Sequence, residues 1–286
     1  MTATRRCIIF RHHQDAPPLD LVAKGAEALG YHVQVEDPLS FRTNSPPEAE
    51  LVVVGGGLTR YDFGNARIMH HYTHVGAMAV LLEFSWIRPD HWLVYLGGKP
   101  WLPPARLVDS ARRLAQGLGV RPQPRGEEIL ICGQRPNLDR QLEETVRTMA
   151  ENSKRLIVYR RHPHAKNIPP VVTYDMPRAF SRADSANVNE GQPSLLDDLA
   201  AAWVVVTHSS NVGITALEMG LPVVSSRAAV FSDVAHPLGV AAEVDSIAPA
   251  HLTSVEQFFN RFSYVHWAAP ELASGEALSF LEECSA

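Results

Sequence analysis

The sequence predicts an α/β protein with two Rossmann-like domains facing a cleft, and three observations predict it. Short apolar runs alternate with helix-like segments, which is typical of a parallel sheet flanked by helices. The alternation is interrupted by a proline-rich stretch at 99–128 and then starts again. The chain has 286 residues, of which 45% are hydrophobic, so it is long enough for one large domain or two small ones.

The first half of the chain shows strand and helix patterns in turn. Continuous apolar runs predict buried strands, regular alternation predicts a half-buried strand, and apolar residues three to four apart predict a helix. These patterns give strands at 5–11, 31–37, 49–57 and 77–84 and a helix at 20–30. Gly30 closes the helix, because glycine readily takes the left-handed conformation that ends one. We assign residues 1–120 to an N-terminal domain.

The second half repeats the alternation after the proline-rich linker. The same patterns give strands at 127–134, 155–164, 203–208 and 221–226 and helices at 138–153, 193–202 and 211–220. Gly220 and Pro222 are stop signals for the last of these helices. The stretch 254–283 has a helical pattern throughout. We assign residues 121–265 to a C-terminal domain and 266–286 to a helix that packs back toward the N-terminal domain.

Composition and charge exclude several classes of protein. The formal net charge is −5, so the chain has no overall basic character for nucleic acid, although a local basic patch remains compatible with it. Cys7, Cys132 and Cys284 are isolated, which argues against a disulfide framework or a zinc site. The N-terminus lacks a signal-peptide core, and no apolar run approaches the ~20 residues of a membrane span. We therefore expect a cytoplasmic protein without a membrane span.

A cluster of small polar residues follows the valine-rich strand at 203–208. It consists of Thr207, His208, Ser209, Ser210 and Asn211. Ligands of open α/β sheets bind at the carboxyl ends of strands, beside helix N-termini, where free backbone N–H groups and hydroxyls suit a phosphate. The cluster therefore predicts an anion site. The alternative is a cluster without a ligand, in which Asn211 or Ser210 only caps the following helix.

Two other predicted strands also end in groups that bind anions. One ends in a basic cluster, and guanidinium and imidazole groups donate to phosphate oxygens. The other ends at a glycine that lets the backbone approach a ligand closely. The residues expected to bind a nucleotide at these two ends are Arg161, His162, His164, Gly133, Gln134 and Arg135. The alternative for the basic cluster, which also contains Arg160 and Lys166, is a solvated loop.

Glu218 is expected to bind the ribose of such a nucleotide. It follows Asn211 by seven residues, or about two helical turns, so the two residues share a helix face. A carboxylate there can accept hydrogen bonds from ribose hydroxyls, as the acidic residue of dinucleotide-binding folds does. The alternative is an exposed helix glutamate.

Several catalytic and nucleotide-binding motifs are missing from the sequence. The stretch GGGLTR at 55–60 lacks the last glycine of GxGxxG, and no GxxxxGK[ST] occurs, which excludes a P-loop kinase. No GxSxG occurs, so the serines at 209 and 210 are not a nucleophile elbow. HExxH and DxD are also absent, and the latter holds the metal in one large class of transferases.

Three segments resemble nucleotide-sugar glycosyltransferases of the two-domain GT-B type. They are Arg161-His162-Pro163, THSSNVGITALEMGLPVV at 207–224, and LLEFSW at 81–86 after VVVGGG. The chain is similar to capsule polysaccharide glycosyltransferases and to phage-encoded transferases that place sugars on modified DNA bases. Capsule enzymes that transfer Kdo have Glu-Asp-Gly-Phe where this chain has Glu83-Phe84-Ser85-Trp86. The segment 258–278 resembles the tails of the phage proteins, which favours a DNA acceptor.

The resemblance implies a reaction and two binding domains. A sugar would move from a nucleotide-diphosphate sugar, here expected to be a UDP-sugar, to the 5-hydroxymethyl group of a modified pyrimidine in DNA, in the host cytoplasm if the protein is phage-encoded. The C-terminal domain would hold the donor and the N-terminal domain the acceptor. Cationic side chains would replace a metal ion, so no metal and no further cofactor is expected. The alternatives are a capsule polysaccharide transferase, a sugar-nucleotide epimerase of the same fold and a non-catalytic nucleotide-binding module.

An inverting transferase needs a base that deprotonates the acceptor hydroxyl. The candidates at strand ends of the first half are Glu83, Asp62 and Asp15. We prefer Glu83, because it closes a buried apolar strand and burial raises the pKa of a carboxyl group. The alternative is a carboxylate with a structural role only.

The stretch 55–74 is the expected acceptor-binding surface. Arg60 and Arg67 would contact phosphates of DNA, and Tyr61 would stack on a base. The linker would extend this basic strip with Arg112, Arg113, Arg121 and Arg125. The histidines at 70, 71 and 74 lack second-shell carboxylates, so we do not expect them to bind a metal.

Overall fold

The computed structural model of the protein describes residues 5–11, 16–55, 64–85, 87–88, 90–97, 101–134, 136–160, 179–182 and 194–285. The chain divides into two compact units. Unit 1 comprises residues 1–116 and 260–286, and unit 2 comprises residues 117–259. Within the described residues, no helix combines the length and the apolar character that crossing a membrane requires.

The described part of unit 1 contains a six-stranded sheet, which we call sheet A. Its strands are β1 (Arg5–Phe10), β2 (Tyr31–Glu36), β3 (Leu51–Gly55), β4 (Met78–Phe84), β5 (His91–Leu96) and β12 (His266–Ala268), in the order β12-β5-β4-β3-β1-β2. The four strands from β2 to β4 in this order pair in parallel. β5 and β12 join them in antiparallel fashion. Each residue of β3 is buried, as a central strand covered on both faces requires.

The described part of unit 1 also contains several helices. They are α1 (Ala16–Ala28), α2 (Gly64–His74), α3 (Ser110–Ala115), α8 (Ala269–Ser274) and α9 (Glu276–Ser285). Gly30 has a φ of 82° just past α1, so the predicted stop signal is confirmed. α1 lies so close to α8 that a methyl group on Gly25 would meet the carbonyl oxygen of Leu272 at 2.1 Å. A glycine is therefore required at this contact.

The described part of unit 2 contains a second six-stranded sheet, sheet B, whose strands are all parallel. Its strands are β6 (Glu128–Cys132), β7 (Ile157–Arg160), β8 (Ala179–Arg182), β9 (Ala202–Thr207), β10 (Val223–Ser225) and β11 (His236–Pro237), in the order β11-β10-β9-β6-β7-β8. The helices of this unit are α4 (Pro136–Asn152), α5 (Leu195–Ala200), α6 (Val212–Glu218) and α7 (Leu252–Phe262), the last of which continues into unit 1. The central strands β6 and β9 carry the apolar core.

The predicted class of fold is present, with two differences in unit 1. Both units are α/β layers built on largely parallel sheets. The helical pattern predicted for 254–283 is wrong at His266–Ala268, which form strand β12 and pair with β5. β5 itself was not predicted, although its residues HWLVYL contain the aromatic and β-branched side chains typical of strands.

Candidate functional site

The carboxyl ends of four parallel strands meet at one edge of sheet B. Cys132 of β6 pairs with Thr207 of β9 on one side and with Arg160 of β7 on the other. Ser225 of β10 pairs with Thr207. The residues that follow these positions therefore lie at a common edge, where open α/β sheets bind their ligands.

Side-chain hydroxyls shape the turn after β9. The fully buried Thr207 accepts a hydrogen bond at Oγ1 from the backbone N–H of Ser210, at 3.3 Å. Ser210 Oγ in turn accepts from the N–H of Val212, at 3.4 Å. Asn211 makes no side-chain capping bond, so Ser210 is the residue that caps α6. Gly220, with a φ of 71°, follows α6 as predicted.

The backbone N–H of Ser209 points at an oxygen from another strand end. It donates to Gln134 Oε1 at 2.7 Å, and Ser209 Oγ donates to the same oxygen at 3.3 Å. Gln134 follows β6 by two residues, so this contact joins two neighbouring strand ends. The turn after β9 therefore presents its donors to an oxygen that lies outside the turn.

His208 brings a third strand end into the same group. Its ring is buried, and Nδ1 lies 3.4 Å from Ser209 Oγ and 3.4 Å from Ser226 Oγ. Ser226 follows β10 and also donates to the carbonyl oxygen of His208, at 2.9 Å. Ser226 was not among the predicted site residues, although the run PVVSS ends in small polar residues as VVVTHSS does. We call Gln134, Thr207, His208, Ser209, Ser210 and Ser226 the strand-end cluster.

Arg160, a member of the predicted basic cluster, is buried in an ion pair. Its side chain is 5% exposed and donates from Nη1 to Asp198 Oδ2, and the Asp198 side chain is fully buried. Asp198 comes from α5, which begins with a capping box between Ser194 and Asp197. The positive charge of Arg160 is thus matched inside the protein, so Arg160 does not add a solvated charge at the sheet edge.

The other predicted nucleotide-binding residues differ in what the structure describes of them. Gly133 is buried and donates from its N–H to the carbonyl of Arg160, at 2.9 Å. Glu218 is the last residue of α6 and is half-buried. It lies about 10 Å along the helix axis from Asn211. Four predicted residues lie outside the described residues, namely Arg135, Arg161, His162 and His164.

Glu83, the preferred base, lies near the end of β4 in unit 1. It is half-buried and pairs with Leu93 of β5. The phenol of Tyr95 lies close by. Burial raises the pKa of Tyr95 well above its usual range, and the nearby Glu83 adds to this effect. Asp62 and Asp15, the other candidates, lie outside the described residues.

The predicted acceptor strip loses most of its linker arginines to internal contacts. Arg112 donates to both carboxylate oxygens of Glu271, at 2.5 and 3.0 Å, and stacks on Trp267 at 3.8 Å. Arg113 donates to Asn260 Oδ1. Arg125 stacks on Trp203 and donates to two carbonyl oxygens in unit 2. These three guanidinium groups therefore already have partners within the protein, and the expectation that they contact DNA stays a prediction.

The other two described arginines of the predicted strip are exposed. Arg67 is exposed on α2. Arg121 is also exposed, and its Nη2 donates a hydrogen bond to the carbonyl oxygen of Gly117. Arg60 and Tyr61 lie outside the described residues. The rings of His70 and His74, which both belong to α2, stack on each other with their centroids 6.4 Å apart. Among the described residues, no group of three or more His, Cys, Asp or Glu side chains is placed to hold a metal ion.

Comparisons with known proteins support the architecture. No protein-family model and no curated protein sequence matches the chain. The chain is similar to the solved beta Kdo 2,4 transferase of KpsC from Thermosulfurimonas dismutans, with 16% identity and a TM-score of 0.53, over 91% of this chain and 90% of that one. At this identity the match shows the fold, and the predicted GT-B class of fold is confirmed.

Two further solved structures match over nearly the whole chain. One is the beta Kdo 2,7 transferase of KpsC from Thermosulfurimonas dismutans, with 15% identity and a TM-score of 0.49, over 96% of this chain and 99% of that one. The other is UDP-GlcNAc 2-epimerase from Methanocaldococcus jannaschii, with 10% identity and a TM-score of 0.40, over 98% of this chain and 99% of that one.

Proposed function

We propose that this protein is a glycosyltransferase whose strand-end cluster binds the phosphate groups of a nucleotide sugar. The observation that carries the proposal is the backbone N–H of Ser209, which already donates to an oxygen acceptor at the ligand-binding edge of a parallel sheet. A phosphate oxygen is a stronger acceptor than the amide oxygen of Gln134, because it is charged. The hydroxyls of Ser209 and Ser210 supply further donors at the same edge.

These donors suit the chemistry of sugar transfer. When the bond between the anomeric carbon and a phosphate oxygen breaks, negative charge develops on the departing phosphate. Prearranged N–H and O–H donors stabilise that charge in the transition state more than in the ground state. Arg161 and His162, which follow β7 directly, are proposed as the cationic partners that take the place of a metal ion. Glu83 is proposed as the base that removes the proton of the acceptor hydroxyl.

We further propose a glycan hydroxyl as the acceptor, ahead of a hydroxymethylpyrimidine in DNA. Affinity for DNA depends on arginines and lysines that neutralise phosphates. Arg112, Arg113 and Arg125 are already bound to groups of the protein, and the net charge of the chain is −5. The transferase of similar fold is named as a Kdo transferase, which makes nucleotide-activated Kdo one donor to include in a test.

A transfer assay with paired acceptors distinguishes the alternatives. Radiolabelled nucleotide sugars, including UDP-sugars and nucleotide-activated Kdo, are incubated with the protein and either an oligosaccharide acceptor or hydroxymethylated duplex DNA. We expect label on the oligosaccharide. Label on DNA alone would reverse our order of acceptors. A converted sugar nucleotide without any acceptor would indicate an epimerase, and binding without turnover would indicate a nucleotide-binding module.

A charge placed in the strand-end cluster is expected to weaken nucleotide binding. Ser209→Asp puts a carboxylate beside the N–H that would hold a phosphate, so repulsion and a lost hydrogen bond act together. We expect the dissociation constant for the best of UDP, CDP, GDP, ADP and CMP to rise about 10- to 100-fold in calorimetry. Ser246→Asp places the same charge on an exposed serine elsewhere in unit 2 and is expected to leave the constant unchanged. Equal effects of both changes would refute the assignment of the site.

A further inference from the structure

Several backbone N–H groups at the turn after β9 have acceptors that belong to the turn itself. The N–H of Ser210 donates to Thr207 Oγ1 at 3.3 Å, and the N–H of Val212 donates to Ser210 Oγ at 3.4 Å. The N–H of Gly213 donates to the carbonyl oxygen of Ser210 at 2.9 Å. A ligand that replaced any of these acceptors would have to change the conformation of the turn.

The acceptor of the Ser209 N–H is different, because it comes from another strand end. Gln134 Oε1 accepts this bond at 2.7 Å, which is at the short end of the usual range for N–H···O bonds. The same oxygen accepts from Ser209 Oγ at 3.3 Å. A backbone N–H has one proton to donate. A phosphate oxygen that accepts the bond from the Ser209 N–H must therefore take the place of Gln134 Oε1.

The surroundings of this contact hold the backbone and leave the Gln134 side chain as the part that can move. A methyl group on Gly213 would meet Cζ of the fully buried Phe231 at 2.3 Å, so α6 has no room to shift in that direction. The N–H of Gly133 donates to the carbonyl oxygen of Arg160 at 2.9 Å, which fixes the backbone before Gln134. The Gln134 side chain is half-buried, and rotation about its side-chain bonds withdraws the oxygen without moving β6.

We propose that Gln134 is an intramolecular competitor of the nucleotide sugar, whose carboxamide oxygen holds the position that a phosphate oxygen takes on binding. The role rests on the proposed function, in which the Ser209 N–H binds a phosphate. Oε1 satisfies a donor that would otherwise lack a partner within the protein, and it thereby keeps the turn ready for a ligand. A phosphate oxygen displaces it because a charged acceptor makes the stronger hydrogen bond.

This exchange makes Gln134 a determinant of specificity. A neutral oxygen of a ligand is no better as an acceptor than the amide oxygen that it would replace, so it gains nothing from the exchange. A charged phosphate oxygen gains the difference between a charged and a neutral hydrogen bond. Gln134 therefore lowers the affinity for every ligand that uses this position and selects those with a charged group. A residue that binds the nucleotide directly would instead raise the affinity.

Gln134→Ala is expected to strengthen nucleotide binding. Without Oε1 the Ser209 N–H bonds to water, which a phosphate displaces without moving a side chain. We expect the dissociation constant for the best of UDP, CDP, GDP, ADP and CMP to fall about 2- to 10-fold in calorimetry, the factor that corresponds to one neutral hydrogen bond. A constant that stays the same or rises in Gln134→Ala would overturn the proposal.

Two controls restrict the effect to the phosphate position. Gln123→Ala removes an exposed glutamine side chain elsewhere in unit 2 and should leave the constant unchanged. The nucleoside of the same base carries no phosphate, so its affinity, measured by NMR titration, should be equal in the wild type and in Gln134→Ala. A nucleoside that gains as much as the nucleotide would place the effect of Gln134 outside the phosphate position and would contradict the proposal.

NMR also detects the exchange directly in the wild-type protein. The scalar coupling across the hydrogen bond between the Ser209 nitrogen and the Gln134 carboxamide carbon should be present without nucleotide and absent at saturation. A coupling that persists at saturation would show that the bond survives binding, and would overturn the proposal even if Gln134→Ala failed to fold. If no nucleotide binds to the wild type or to Gln134→Ala, the proposed function itself fails. Binding that Gln134→Ala does not strengthen refutes only the role of Gln134.

Discussion

Replacing Glu83 with glutamine is expected to lower the rate of transfer by about 100- to 10,000-fold, the usual contribution of a general base. Glutamine has nearly the same shape as glutamate but cannot accept a proton from an attacking hydroxyl. Because the nucleotide is proposed to bind in unit 2, its dissociation constant should stay at the wild-type value. Single-turnover assays with the preferred acceptor, combined with calorimetry, measure both quantities.

The matched control for this change is Glu27→Gln. Glu27 is exposed on α1 of the same unit, so the same loss of charge there should leave transfer unaffected. A Glu83→Gln variant that retains more than half of the wild-type rate would exclude Glu83 as the base and would direct attention to Asp62 or Asp15. A variant that loses nucleotide binding as well would point to a change in fold.

Replacing Asp198 with asparagine is expected to lower the free energy of unfolding by about 3–5 kcal/mol, which is a large part of the stability of a typical domain. The change leaves the charge of the buried Arg160 guanidinium without its carboxylate. The exposed pair between Arg147 and Glu143 of α4, at 3.5 Å, provides the control, and Glu143→Gln should cost less than about 0.5 kcal/mol. Urea unfolding followed by circular dichroism measures both effects.

A double variant separates lost charge balance from lost packing. Asp198→Leu with Arg160→Met removes both charges and refills the space with apolar atoms, which often restores or improves stability. We expect the double variant to be more stable than Asp198→Asn. A double variant less stable than Asp198→Asn would show that the pair stabilises the protein mainly through its hydrogen bonds. Compensation of the Arg160 charge would then be the smaller contribution.

The fold was largely predictable, because its strands and helices leave local patterns. The valine runs at 52–54 and 204–206 predicted the central strands. Gly30 and Gly220 were predicted to end helices, and each has a positive φ just past the end of one. β12 was not predictable in the same way. His266–Ala268 lie between helices and become a strand only because β5 offers an edge for antiparallel pairing, which is a tertiary effect.

The candidate site was predictable where it depends on strand ends and not where it depends on distant partners. Parallel pairing brings Gln134 and Ser209 together although 75 residues separate them, and the topology rule for α/β sheets anticipated that edge. Arg160 was placed in a basic cluster expected to bind an anion, and Arg112 in a basic strip expected to contact DNA, because their sequence neighbours are basic. Their true partners, Asp198 and Glu271, lie 38 and 159 residues away, and no local pattern connects them.

The return of the C-terminal segment to sheet A has a consequence for synthesis on the ribosome. Unit 2 is a single continuous stretch of chain, so all of its residues are synthesised before β12, α8 and α9. Unit 1 begins the chain but lacks its sixth strand and the helix against which Gly25 packs until residues 260–285 follow. Unit 1 is therefore begun first and completed last, because its sheet cannot gain β12 until the whole of unit 2 has been synthesised.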